Sequence, residues 1–378
     1  MKHILITDVQ YRKAFDIVSI LKREFPEEHF VLGTTRGGVF CHLCYGSCDV
    51  VQLRTEEGKE LFVEDFGRLL EQYRGEELIY VPVEENTTDL VVDYLEAHGD
   101  DLPCRLTYLL PGAELYKQFR NKEMLNRYCL KMGFPAPRLY EIEELEGAEY
   151  PVILKPTIGS GSHGIMRLMS REELTPEVKA QLMKERYVAQ ELIPNGKDVK
   201  GVFFLCMEGK VVGAYTHQRL RTSPEEGGVT VLSRMQYEEG LIRQGAVLLE
   251  SVKWDGLVML EYLWDERTRT YKVIEANPRL WGSIMLSEYG GAYLLTNYVR
   301  LCLGMPVKEP EIDTERYIRW LFPMDMVNLL KKRFRMPGFW NFRNQCLINW
   351  TYTRKDRAMC FVFFSVFNLD NVKKLLAR

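Results

Sequence analysis

Several things are missing from this 378-residue chain, and each absence narrows what it can be. No apolar run reaches the roughly 18 to 20 residues that a membrane-spanning helix needs. The nearest, "AMCFVFFSVFNL" from Ala358, is too short. There is no basic excess: Lys and Arg number 50 against 53 Asp and Glu, a formal charge of −3, so overall charge does not suggest a nucleic-acid partner. The opening "MKHILITD" begins directly with a strand-like run and lacks a signal-peptide layout. Cysteine is present but unsuited to staples, since nine is an odd number in a chain too long to need them. Together these features lead us to expect a reducing, cytoplasmic setting. "CHLCYGSC", with Cys41, His42, Cys44 and Cys48, lacks a second knuckle downstream. It reads as a loop of reduced cysteines after a strand rather than a closed zinc site.

Two phosphate-binding signatures are also lacking. No G-x-x-x-x-G-K-[S/T] occurs anywhere, and no G-x-G-x-x-G follows the first strand, where "TDVQYRKAF" stands instead. The opening segment nevertheless alternates apolar runs at residues 3–7, 29–33, 49–53 and 78–83 with amphipathic stretches such as "YRKAFDIVSILKREF" and "GKELFVEDFGRLLEQY". This predicts parallel βαβ units in a doubly wound domain that does not hold a dinucleotide. The pattern then changes to strands joined by tight turns, with "GFPAP" as a stiff break, and from about Met305 to a mixture of Arg, Lys and aromatics.

The chemistry is concentrated in a few places. In "VIEANPRLWGS" alternation puts Glu275, Asn277 and Arg279 on one face of a strand. A hairpin turn within "DERTRT" would set Glu261 nearly opposite Glu275. Facing carboxylates destabilise a ladder unless a cation sits between them, and these hard oxygens suit Mg²⁺, with Mn²⁺ as an alternative. A solvent-facing polar strand would read the same way. "ILKPTIGSGSHGI" places Lys155 before Gly159, Ser160, Gly161, Ser162, His163 and Gly164. Its glycines let backbone amides approach phosphate oxygens, although a plain turn has the same composition. "YVAQELIPNGKDV" offers Gln190, Glu191, Leu192 and Ile193 as a backbone edge and apolar wall for a planar base, and Asp198 for ribose hydroxyls; by itself it is a linker between strands. Arg219 and Arg221 in "HQRLRTSPEEGGVT" suit a carboxylate or acyl-phosphate, or are solvated strand arginines.

In its order of motifs, Lys122, Lys155 with its glycine loop, Glu191, Asp198, Glu261, Glu275, Asn277, Arg279, the chain resembles the ATP-grasp superfamily over about residues 1–305. The carboxylate-amine ligase branch, often described as carbamoyl-phosphate-synthase-like, is the most similar, because of "NPRLWGS" and "HQRLRTSPEEGGVT". The resemblance implies an α/β (α+β) fold: a doubly wound pre-ATP-grasp domain over 1–110, a small subdomain with the glycine loop over 111–188, a large subdomain with the metal site over 189–305, and a helical, basic-aromatic extension over 306–378. It implies Lys122 and Lys155 on nucleotide phosphates, Gln190 to Ile193 at the adenine with Glu191 near the base, and Asp198 at the ribose. Glu261, Glu275 and Asn277 would hold Mg²⁺, and Arg279, with Arg219 and Arg221, would hold the acyl-phosphate or carboxylate. The implied reaction uses ATP to activate a small-molecule or peptide carboxylate as acyl-phosphate, passes it to an amine, and releases ADP and phosphate. "RNK" departs from the acidic residue that often precedes the lysine. Two other readings are a regulatory module that binds ATP without ligation, and a membrane-associated enzyme modifying a cell-envelope polysaccharide or peptide. The latter would use the extension for peripheral membrane contact; the extension can equally cap the core or join a homodimer.

Overall fold

A computed structural model describes residues 2–35, 38–99, 101–159, 164–194, 199–223 and 229–347. Four strands of the first sheet form where the alternating runs predict, and a fifth, Arg105–Thr107, lies outside those runs. Its strands Lys2–Ile6, His29–Thr34, Asp49–Gln52, Glu77–Val81 and Arg105–Thr107 all pair in parallel, with Lys2–Ile6 central between His29–Thr34 and Glu77–Val81. Helices Arg12–Glu24, Lys59–Gln72 and Glu85–His98 cover it. Cys41 and Cys44 lie buried on a further helix, Gly38–Tyr45, rather than in the expected loop. Burial pushes the Cys41 thiol up to about 11, which keeps it protonated and a poor metal ligand.

Two further sheets follow, antiparallel except for the last pair of the larger one, Tyr317–Arg319 with Gln345–Leu347. The smaller orders Leu139–Tyr140, Tyr187–Glu191, Val152–Pro156 and Met166–Leu168; the strand Tyr187–Glu191 straddles position 188/189. The larger orders Thr270–Asn277, Gly256–Asp265, Lys200–Met207, Lys210–Ser223, Val229–Gln236, Tyr317–Arg319 and Gln345–Leu347. Its last two strands come from the segment expected to be helical; that segment also supplies the short helix Met326–Lys331, so the described part of the extension is partly helical and partly built into the sheet edge. Three-residue strands carry no period to read, which is why the sequence did not announce them. No helix among the described residues is long and apolar enough to cross a membrane.

One continuous core joins the first domain to the large sheet: Ile4, Phe15 and Leu21 share it with Phe203, Tyr215 and Trp281. Trp281 is buried there and donates to the Tyr215 hydroxyl (2.9 Å), which makes it a strut of the core. Gly256 marks the tightest approach, with φ +85° and an added Cβ only 2.0 Å from the Leu109 carbonyl oxygen. Gly256→Ala is expected to destabilise the protein by about 3 kcal/mol or more, from positive-φ strain and overpacking together, as read by thermal unfolding.

Candidate functional site

Strand register makes the centre of the site. In the hairpin of Gly256–Asp265 and Thr270–Asn277, Glu261 lies opposite Glu275 and Met259 opposite Asn277. Glu261, Glu275 and Asn277 therefore share a face. A bulge follows: Tyr262 pairs with Val273, and the extra residue, Ile274, lets Val273 and Ala276 both enter the core on the other face.

Lysines approach this face from the small sheet and the helix beside it. Lys122 heads the helix Lys122–Met132, capped by Asn121, whose side chain accepts from the amides of Glu123 and Met124. Asn and Asp are near-equal caps, which accounts physically for "RNK". The Lys122 Nζ lies 3.7 Å from Glu275 Oε1 and donates to the Gly159 carbonyl (2.6 Å), tying the start of the glycine loop to the carboxylate pair. Gly159 has φ +131° and Gly164 φ +72°, conformations that favour glycine. Lys155 is buried on the strand Val152–Pro156 and enters no ion pair among the described residues. Burial holds its ammonium down at about 8, opposed by attraction to Glu275. Glu275 is pushed up to about 7, by burial first and then by repulsion from Glu261. Lys122 and Arg219 only partly offset the repulsion between the two carboxylates, and a metal ion between them would lower Glu275 further.

The arginines divide. Arg219 donates to Glu261 (3.2 Å), while Arg279 donates to Asn277 Oδ1 (3.0 Å) and lies 3.8 Å from Glu85. Arg221 does not join them. A register shift between Arg219 and Arg221 breaks the shared face, and Arg221 pairs with the buried Asp325 (3.0 Å). Glu191 also departs from its expected place: its carboxylate accepts from Lys272 (2.5 Å), Arg267 (2.6 Å) and the Arg138 amide (2.9 Å), fastening the small sheet to the hairpin. Its neighbour Gln190 pairs with Ile153 as Val188 pairs with Lys155, so Gln190 shares the face of Lys155. Gln190 is fully buried and both amide atoms lack a partner. A buried amide left so is satisfied by a ligand or water, and a purine edge meets that need. Ile193 is buried and Leu192 half-buried, its amide donating to Pro151. Ser160, Gly161, Ser162, His163 and Asp198 lie outside the described residues.

Sequence reasoning missed three contributors. His217 stands opposite Gly201, which stands opposite Glu261, extending the row of Glu275 and Glu261 across two more strands. Both its ring nitrogens are buried without a partner, and burial, then Arg219, drives its pKa down to about 3, so it is neutral. Its position two residues before Arg219 in "THQR" was the available signal. From the first domain, Lys13 donates to the Leu280 carbonyl (3.2 Å) and pairs with Glu84 (3.0 Å), and buried Asp8 accepts from Thr87 (2.7 Å). The carboxyl ends of the first and fourth strands thereby face the Arg279 stretch, where open α/β sheets bind ligands.

Comparison with known proteins bears on the fold. Residues 120–283 match the ATP-grasp domain family. The carbamoyl phosphate synthase large chain of Methanothermobacter thermautotrophicus is 21% identical over 225 residues, 53% of this chain but only 21% of that protein. The chain thus spans about a fifth of that relative's length. Among solved structures, N5-carboxyaminoimidazole synthetase from Staphylococcus aureus is 12% identical with a TM-score of 0.63, over 89% of this chain and 88% of that one. L-amino acid ligase from Bacillus licheniformis is 18% identical, TM-score 0.59, over 84% and 78%. The biotin carboxylase domain of Hydrogenobacter thermophilus 2-oxoglutarate carboxylase, solved with magnesium ADP and bicarbonate, is 14% identical, TM-score 0.64, over 84% and 73%.

Proposed function

We propose that this chain, an ATP-grasp protein by the domain over residues 120–283, is an ATP- and Mg²⁺-dependent ligase joining a carboxylate to an amine. The observation that carries the reading is the facing pair Glu261 and Glu275, flanked by Asn277, Lys122 and Lys155. Mg²⁺ would be held by Glu261, Glu275 and Asn277, and its chemistry there is to neutralise phosphate oxygens during transfer. Lys122, Lys155 and the loop 159–164 receive the phosphates; Gln190, Ile193 and the backbone between them receive the base, and Asp198 the ribose. Arg219 and Arg279 orient the substrate carboxylate.

The γ-phosphoryl group passes from ATP to a carboxylate oxygen, leaving ADP. An amine then attacks the acyl carbon, the bond to phosphate breaks, and the amine loses a proton. Among the described residues the cluster offers no serine, threonine or cysteine nucleophile, in keeping with a reaction driven by positioning and charge neutralisation. Neutral His217, in the same row, is too weak a base to take that proton, and a metal cation nearby would lower its pKa further, so we assign it to orienting the acceptor.

ADP release should be screened across carboxylates paired with amines, with Glu275→Gln as blank. At least one pair is expected to exceed the blank; if none does, the ligase reading is wrong. The pH dependence has a defined sign. Glu275 sits at about 7, so below that value a proton competes with the metal. Mg²⁺ affinity is expected to fall about tenfold per pH unit below 7 and to level off above it, measured by titration calorimetry. Without metal, the raised value makes Glu275 cost stability as pH rises from 4.5 to about 7.

A further inference from the structure

The segment after Asp325 presents a surface that the ligation chemistry does not use. Leu330 is 55% exposed, Phe334 66% and Trp340 63%, with Phe322 and Phe342 also exposed. Between residues 326 and 347 lie Lys331, Lys332, Arg333, Arg335 and Arg343, and no Asp or Glu, in a chain whose net charge is −3. All five basic residues are exposed, and Arg333, Arg335 and Arg343 enter no ion pair with a described carboxylate.

Buried contacts anchor this surface to the large sheet. Phe339 is buried under the Arg319 guanidinium (4.1 Å) and accepts from it through its carbonyl (2.6 Å). Arg319 pairs with Asp325 (2.6 Å), and Asn328 donates to the Thr222 carbonyl (2.9 Å) on the large sheet. Trp340 packs edge-on against Phe339 and Phe342, which fixes its ring while leaving it largely in solvent. Large apolar side chains pinned outward amid cations cost the free protein hydration and gain it nothing. Aromatic rings at headgroup depth, ringed by Lys and Arg that meet anionic lipid, recover that cost.

We propose that the surface formed by residues 330–343 binds anionic lipid bilayers and holds the protein peripherally at a membrane. Positive charge on this face of an otherwise acidic chain favours an anionic bilayer, and exposed Leu330 and Phe322 favour acyl chains over nucleic-acid bases. The proposal is independent of the ligase reading.

The test is flotation of the full chain with phosphatidylcholine vesicles, with and without phosphatidylglycerol. The parent is expected to float with anionic vesicles at low salt and to be released at molar salt. The triple variant Arg333→Gln, Arg335→Gln, Arg343→Gln is expected to partition on the order of 100-fold more weakly, from about 1 kcal/mol per basic residue. Phe334→Ser with Trp340→Ser should lower it as well. All these side chains are exposed, so melting curves and any solution ADP release should match the parent. Several results would overturn the proposal: no flotation, equal binding to neutral vesicles, or a triple variant that floats like the parent, which would move binding to another segment. Equally tight capture of single-stranded DNA, lost in the same variant, would assign the surface to nucleic acid instead.

Discussion

Glu275→Gln should lower the rate of Mg²⁺-dependent ADP release by about a thousandfold. A metal ion supplies several kcal/mol of charge stabilisation in phosphoryl transfer, and each 1.36 kcal/mol is a factor of ten. The amide keeps the shape of the carboxylate but removes the charge that faces Glu261 across the ladder. It should also end the raised titration near 7, so the variant's melting temperature becomes less dependent on pH between about 4.5 and 7. Steady-state kinetics and melting curves on the same preparation separate the two effects. A variant that loses less than tenfold in rate would remove Glu275 from the metal site.

Asp325→Ala should be the most damaging single change to the folded state outside the hydrophobic core. Asp325 is fully buried between Arg319 (2.6 Å) and Arg221 (3.0 Å), and Arg319 is itself fully buried. Removing the acid leaves two guanidinium groups together in a dry place, a loss of about 3–5 kcal/mol. Denaturant unfolding should show it directly. Because the same pair holds Phe339, the variant should also lose the ordered outward display of Trp340 and with it vesicle binding. Wild-type stability in the variant would mean that this charge cluster does not hold the C-terminal segment to the sheet.

Much of the fold was legible because its signals are local. Alternation and amphipathic period placed four of the five parallel strands, missing Arg105–Thr107, and turn chemistry in "DERTRT" was enough to set Glu261 against Glu275. What the sequence hid depends on partners far along the chain. Glu191 looked free for a nucleotide until Lys272 and Arg267, 81 and 76 residues later, were seen to hold it. Arg221 looked like the twin of Arg219, but a register shift near Leu220 parts them and Asp325 captures the second. Gln190 was named only as part of an edge; its unpartnered amide on the Lys155 face emerges from strand pairing. His217 escaped notice because Gly201, the residue that makes room for it beside Glu261, lies on another strand. Asp8, in the turn after the first strand, and Lys13, on the helix Arg12–Glu24, belong to the first domain, and only the shared core brings them to the Arg279 stretch.

The central claim is that nucleotide and metal bind together between the small and large sheets. Calorimetric titration of the full chain with ADP, in Mg²⁺ and then in chelator, tests it most directly. The account predicts one nucleotide per chain in Mg²⁺, binding lost on chelation and weakened at least tenfold by Lys155→Ala. No binding, or binding indifferent to both Mg²⁺ and Lys155, would contradict it.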